Sequence, residues 1–291
     1  MRIHRRSGMA LPRRQWYDLQ MEPLRATSSD KSAPAAYLLR RLAQTGDADG
    51  VAHLLAEKEM PPEACTSALV QAAERGHIDC VRLLIPFSGD MGNDSIALAL
   101  VRAAADGHAE CVEVLVPVCG AESINSALAI ATRHGHADCV KLLISIPGPK
   151  MVFQQSLLHL AAAAGHVECV KLLIPVSDPM EKDSVALRSS IINRHTQCAK
   201  LLIPVSGQLV EIPSLLSLAL VAGQAEVVAL LLESEPRLLD GVDLFEILSS
   251  ARSTGNDDVA EFLSSVIDRD ALSSAVPKDE ARPSSFFGRR L

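Results

Sequence analysis

Apolar residues recur along this chain in stripes of four, at positions i, i+1, i+4 and i+5. Ala68, Leu69, Ala72 and Ala73 form one stripe, and Leu157, Leu158, Ala161 and Ala162 form another. That spacing gathers four side chains on one helical face, so each stripe predicts a short buried helix. A second stripe follows each first one, as in Cys80, Val81, Leu84 and Ile85 or Cys169, Val170, Leu173 and Ile174, and predicts a second helix antiparallel to its predecessor. Between the two stands a glycine: Gly46, Gly76, Gly107, Gly135, Gly165, Gly223 and Gly255, with Arg194 in the equivalent place of one further pair. Glycine at a helix C-terminus takes positive φ without a Cβ penalty, which suits a tight reversal. Pro86, Pro117, Pro175 and Pro204 each fall ten residues after the aligned position and are expected to stop the second helix. Polar loops such as SGDMGNDS and SDPMEKDS then lead to the next pair.

The aligned positions are 30, 31, 28, 30, 29, 29 and 32 residues apart. Separate domains have no reason to keep such a register, so the pattern predicts an all-α solenoid of about eight helix-turn-helix repeats. Terminal repeats need a polar outer face, and Arg40 and Arg41 at one end, with Arg252, Ser253 and Ser264 at the other, read as caps. The expected organisation is a disordered basic tail at 1–34, the repeat array at 35–267 and a disordered C-terminal tail at 268–291. At 186–203 the rules relax together: Arg194 replaces the turn glycine, Ser189 and Ser190 replace small apolar residues, and Ala199 replaces valine.

The stretch LLHLAAAAGHVECVKLLI at 157–174 resembles the core of an ankyrin repeat in its LHLAA run, its GH turn and its V-x-L-L second helix. The resemblance covers about residues 35–267. Two departures are the openings TSAL, NSAL and DSVAL, and a period near 30 where the family's is about 33. They imply short finger loops. The resemblance implies a non-enzymatic scaffold that binds a protein partner across a concave groove and its fingers, needs no cofactor, and acts as a monomer in the cytoplasm. It places Gln71, Arg102, Ile130 and Leu160, each five residues before the aligned position, along the groove. On the loops, Met91, Met151, Phe153 and Met180 are apolar residues with no evident folding role, and methionine suits adaptable contacts. The resemblance also implies that the turn histidines His77, His108, His136, His166 and His195 tie adjacent repeats together by hydrogen bonds.

Composition adjusts this picture. Hydrophobic residues are 48% of the chain but aromatics only 3%, so the core must be built from small aliphatic side chains and cysteine. The net charge is −7, and residues 1–40 hold eight Lys/Arg against three Asp/Glu, leaving the remainder acidic and poorly suited to nucleic acid. No apolar run is long enough for a membrane span, since SLLSLALVAGQAEVVALLLE is broken by Gln224 and Glu226. The N-terminus has basic residues without the apolar core of a secretory signal. A scaffold secreted into a host cell by a host-associated microbe is an alternative, resting on the composition of that tail.

Five repeats carry His and Cys three residues apart, from His77/Cys80 to His195/Cys198, and those types can ligate zinc. Each repeat offers only two ligands, however, while neighbouring helices stand roughly 8 to 10 Å apart. The cysteine slot is moreover filled by Val227 and Val259 in the last two repeats. Packing is therefore the expected role, with metal- or thiol-dependent chemistry as the rival and no metal site assigned. Cys65 and Cys119 fall outside that slot and are expected at partly exposed loops as the more reactive thiols. Phosphate-loop, nucleophile-elbow and His-Glu-x-x-His signatures are missing, so no catalytic residue is assigned.

Overall fold

The computed structural model describes residues 33–88, 94–146, 157–177, 183–205, 212–234, 244–253 and 255–275, and all regular structure among them is helical. The chain forms two compact units, Met1–Ala161 and Ala162–Leu291. In the first, α1 (Ala33–Thr45), α3 (Pro62–Glu74), α5 (Asp94–Ala105) and α7 (Ala121–His134) are the first helices of successive pairs. They alternate with α2 (Ala48–Glu57), α4 (Ile78–Leu84), α6 (Ala109–Leu115) and α8 (Ala137–Ile144). First helices pack on first helices and second on second, so the unit is a stack of helical hairpins two layers deep. Helix α9 (Leu157–Ala164) spans the division between units. The second unit continues with α10 (Val167–Leu173), α11 (Asp183–Ile192), α12 (Thr196–Leu202), α13 (Ile212–Val221), α14 (Ala225–Ser234), α15 (Leu244–Ser253) and α16 (Asp257–Ala275).

The apolar stripes are the core. Ala68, Leu69, Ala72 and Ala73 on α3 are fully buried, as are Cys80, Val81 and Leu84 on α4. Small residues on the first helices let neighbouring hairpins approach closely, and leucines supply most of the buried volume. At the first of these turns to show both bonds, the His77 amide donates to Ala72 O at 2.9 Å and the Gly76 amide to Ala73 O at 3.3 Å, the paired bonds of a Schellman cap, and the turns at Gly135, Arg194, Gly223 and Gly255 close in the same way.

Two boundaries differ from the expectation. The second α-helices end before the prolines, at Leu84, Leu115 and Leu173, and the chain tightens into 3-10 turns at Ile85–Phe87, Val116–Val118 and Ile174–Val176 that contain them. A proline nitrogen cannot close an i→i−4 bond, while an i→i−3 bond such as Ser88 N to Ile85 O bypasses it. At the C-terminal end α16 runs on through Ala275, past the array boundary expected at 267, with neither proline nor glycine to halt it before Pro277.

Candidate functional site

Histidine and cysteine sit three residues apart with separate jobs. Four of the turn histidines reach back to the preceding hairpin: Nε2 of His77, His108 and His136 lies 3.1, 2.9 and 2.7 Å from the carbonyls of Gln44, Glu74 and Ala105. His195 Nε2 lies 3.2 Å from Ala163 O. A carbonyl only accepts, so Nε2 carries the hydrogen and donates. The other side of each ring rests on the preceding turn glycine. A Cβ on Gly107 would stand 2.5 Å from His136 Nδ1.

Cys80, Cys111, Cys139, Cys169 and Cys198 are buried at the inner face of the second helices, in the slot that Val227 and Val259 fill later. Burial pushes the thiols of Cys80, Cys111, Cys139 and Cys169 up to about 11, against an ordinary 9.0, so these sulfurs stay protonated at neutral pH. All seven cysteines are free thiols. The expectation for Cys65 is corrected, and for Cys119 the partly exposed loop position holds while its reactivity is corrected. Cys65 lies fully buried inside α3, because the helix begins at Pro62 and carries it inward. Cys119 is half-buried, and burial pushes its thiol up to about 11, the reverse of activation. Among the described residues no group of three or more His, Cys, Asp or Glu is placed to hold a metal ion.

Two amides take over the histidine's work, which the sequence reading missed. Gln224 Nε2 donates to Ile191 O at 2.6 Å and Asn256 Nδ2 to Leu220 O at 3.2 Å. Their signal was positional, since each follows the aligned residue just as the histidines do. Gln224 stands opposite the one irregular turn, Arg194, whose φ of 60° is the only positive value outside glycine among the described residues. In the same repeat Ser190 is buried, with its hydroxyl donating to Leu187 O at 2.7 Å, and Asn193 Nδ2 joins His195 on Ala163 O.

The positions five residues before each turn lie on the first helices. Gln71 lies half-buried on α3, donating through Nε2 to Glu74 Oε2 at 3.3 Å. It lines an open depression of about 340 Å³ between α3 and α5, together with Glu63, Thr66, Ser67, Val70, Ser95 and Leu98. Arg102 is exposed on α5 one helical turn beyond Leu98, Ile130 is half-buried on α7, and Leu160 half-buried on α9. Met91, Met151, Phe153 and Met180 lie outside the described residues. Exposed large apolar side chains follow the same division. Tyr37, Leu98, Val185, Ile192 and Val221 project from first helices and Phe87, Val118 and Val176 from 3-10 turns, whereas exposed positions of the second helices carry charges such as Arg82, Glu113, Lys141 and Lys171.

Three overlapping segments, residues 39–127, 100–183 and 128–212, match a family model described as ankyrin repeats (3 copies), which together is more than half of the chain. No curated protein matches. Among solved structures, the human ASB11 ankyrin repeat domain is similar with a TM-score of 0.54 and 22% identity, over 68% of this chain and 97% of that one. At that identity the likeness concerns the fold. No helix among the described residues is long and apolar enough to cross a membrane.

Proposed function

This chain belongs to the ankyrin-repeat family, and from that premise we propose that it is a non-enzymatic scaffold holding a protein partner against the outward face of its first helices. Ankyrin repeats as a class mediate protein–protein interaction, through the extended surfaces that stacked repeats create. The observation that carries the assignment of the face is the segregation of exposed apolar side chains: Leu98, Val185, Ile192 and Val221 lie on first helices, while the second helices present charge. Val221 is 77% exposed, the most exposed of these side chains. The buried, protonated thiols and the histidines bound to carbonyls leave the His/Cys ladder a structural role.

The test is affinity capture with the full chain. Arg102→Glu with Val221→Asp is expected to abolish recovery of partner proteins while leaving the melting temperature unchanged, and Glu113→Arg with Lys141→Glu on the second helices is expected to leave recovery intact. The opposite pattern would assign binding to the other face.

A further inference from the structure

The two ends of the array are built differently. In the last hairpin Arg252 stands three residues before the turn, a place that Ala73, Ala104, Thr132 and Ile191 fill in inner hairpins, and it is exposed where they are fully buried. That place therefore faces the following hairpin, and among the described residues the last hairpin has none. Residues four and eight before the turn form a stripe rotated about 100° from it, toward the preceding hairpin.

In the first hairpin those two places hold Leu42 and Leu38, whereas the next three hairpins have alanine at both, as at Ala72 and Ala68. Helix α1 packs on α2 and α3, and no hairpin precedes it among the described residues. Two leucines on an uncovered side would meet water, yet Leu38 is 1% exposed and Leu42 5%. Arg40 and Arg41 do not cover that end. Both are exposed, in the places of Val70 and Gln71 that line the depression on the neighbouring helix.

We propose that residues 11–24 of this same chain, LPRRQWYDLQMEPL, dock on Leu38 and Leu42 and close the N-terminal end of the array, with Trp16 as the anchor. This part of the tail then has a fixed seat, against the disorder its composition suggests. The reach is sufficient: the eight residues 25–32 extend to about 26 Å, while α1 rises only about 14 Å from Ala33 to Leu42. The chemistry fits as well. Aromatic rings bury the largest apolar area per side chain, and in a chain with only 3% aromatics this segment holds the single tryptophan next to Tyr17, with Leu19, Met21 and Leu24 close by. Both leucines are already buried within one chain, which favours a cover of its own over a second copy. Terminal repeats ordinarily meet water through a polar outer face, as Arg252 does at the other end, and an apolar end instead needs a lid supplied from outside the repeats.

Trp16 is the only tryptophan, so the intrinsic fluorescence of the full chain reports on this one site. Its emission is expected to lie to the blue of the same chain in urea and to resist acrylamide quenching. Leu38→Ala with Leu42→Ala, which installs the residues of the next three hairpins, should shift the emission to the red and speed trypsin cleavage after Arg13 and Arg14, with helix content unchanged. Leu100→Ala, at an equally buried leucine two hairpins on, should leave both readouts as they were. Native emission equal to that in urea would overturn the proposal whether or not the paired variant folds, and so would equal responses to the paired variant and to Leu100→Ala. A blue-shifted emission that fades on dilution, in step with a dimer-to-monomer transition in sedimentation, would give the site to a second copy and overturn it too.

Discussion

Gly107 does two things at once. Its φ of 80° lies in the left-handed region, and its bare Cα is the surface on which the His136 ring rests while donating to Ala105 O. Adding a methyl group therefore strains the turn by about 1 to 2 kcal/mol and displaces a ring whose hydrogen bond contributes about 0.5 to 1.5 kcal/mol more. Gly255 has a similar φ of 73° but nothing within 4 Å of a Cβ. Gly107→Ala is thus expected to cost about 1.5 to 3.5 kcal/mol and Gly255→Ala only the backbone part, about 1 to 2, from urea melts of otherwise identical chains. Equal costs would mean that the ring yields freely. The first of the two roles was legible in the sequence, because backbone freedom belongs to the glycine itself. The second was not, because the residue that needs the space lies in the next repeat.

Between elements, the same logic explains the irregular hairpin. Arg194 brings a Cβ to the place where other turns have none, and the neighbour opposite it is Gln224 instead of histidine. A glutamine is longer and jointed, so it reaches Ile191 O, one residue earlier than the carbonyl chosen by the histidines, and its Oε1 accepts from Thr196 Oγ1 at 3.3 Å. Lys200 and Glu226, 2.6 Å apart, add a tie from α12 to α14. Arg194→Gly alone should stabilise by about 1 kcal/mol through relief of the left-handed strain. Gln224→His alone should destabilise, and in the Arg194→Gly background it should be tolerated. A double-mutant cycle by chemical denaturation is expected to give a coupling of about 1 kcal/mol, and an additive result would mean that the two positions are independent. The helices and their pairing were readable because periodicity and turn chemistry are local. Gln224 and Asn256 were not recognised as histidine equivalents, because residue type was matched where geometry asks only for an N–H donor. The depression was equally hidden: Glu63, Ser95 and Leu98 belong to different helices, and only Gln71 and Arg102 on that face were reached by counting back from the turn.

For the molecule as a whole, the file of buried thiols sets an alkaline limit. Cys80, Cys111, Cys139 and Cys169 titrate near 11 in the folded chain against 9.0 unperturbed. Below 9 both states hold these protons and the thiols give stability no pH dependence. As pH rises from 9 through 11 the unfolded chain releases protons that the folded chain keeps, so the unfolded state binds fewer and stability falls. Urea midpoints are expected to drop between about pH 8 and about pH 10.5, and Cys80→Val with Cys111→Val should flatten the drop, the valine already serving this slot at Val227 and Val259. An unchanged slope would show that other groups govern it. The glycine seat and histidine ring have a consequence of a different kind, for how such a gene can grow. In the regular stretch seat and ring sit on successive repeats, so a segment copied or lost in register between Gly76 and His136 leaves the glycines of that stretch still facing a histidine. Arg194 and Gln224 cannot travel that way. A copy of the Arg194 repeat placed before a histidine repeat would press a methylene group into the imidazole, so unequal crossing-over can change repeat number in the regular stretch but must carry these two neighbours together.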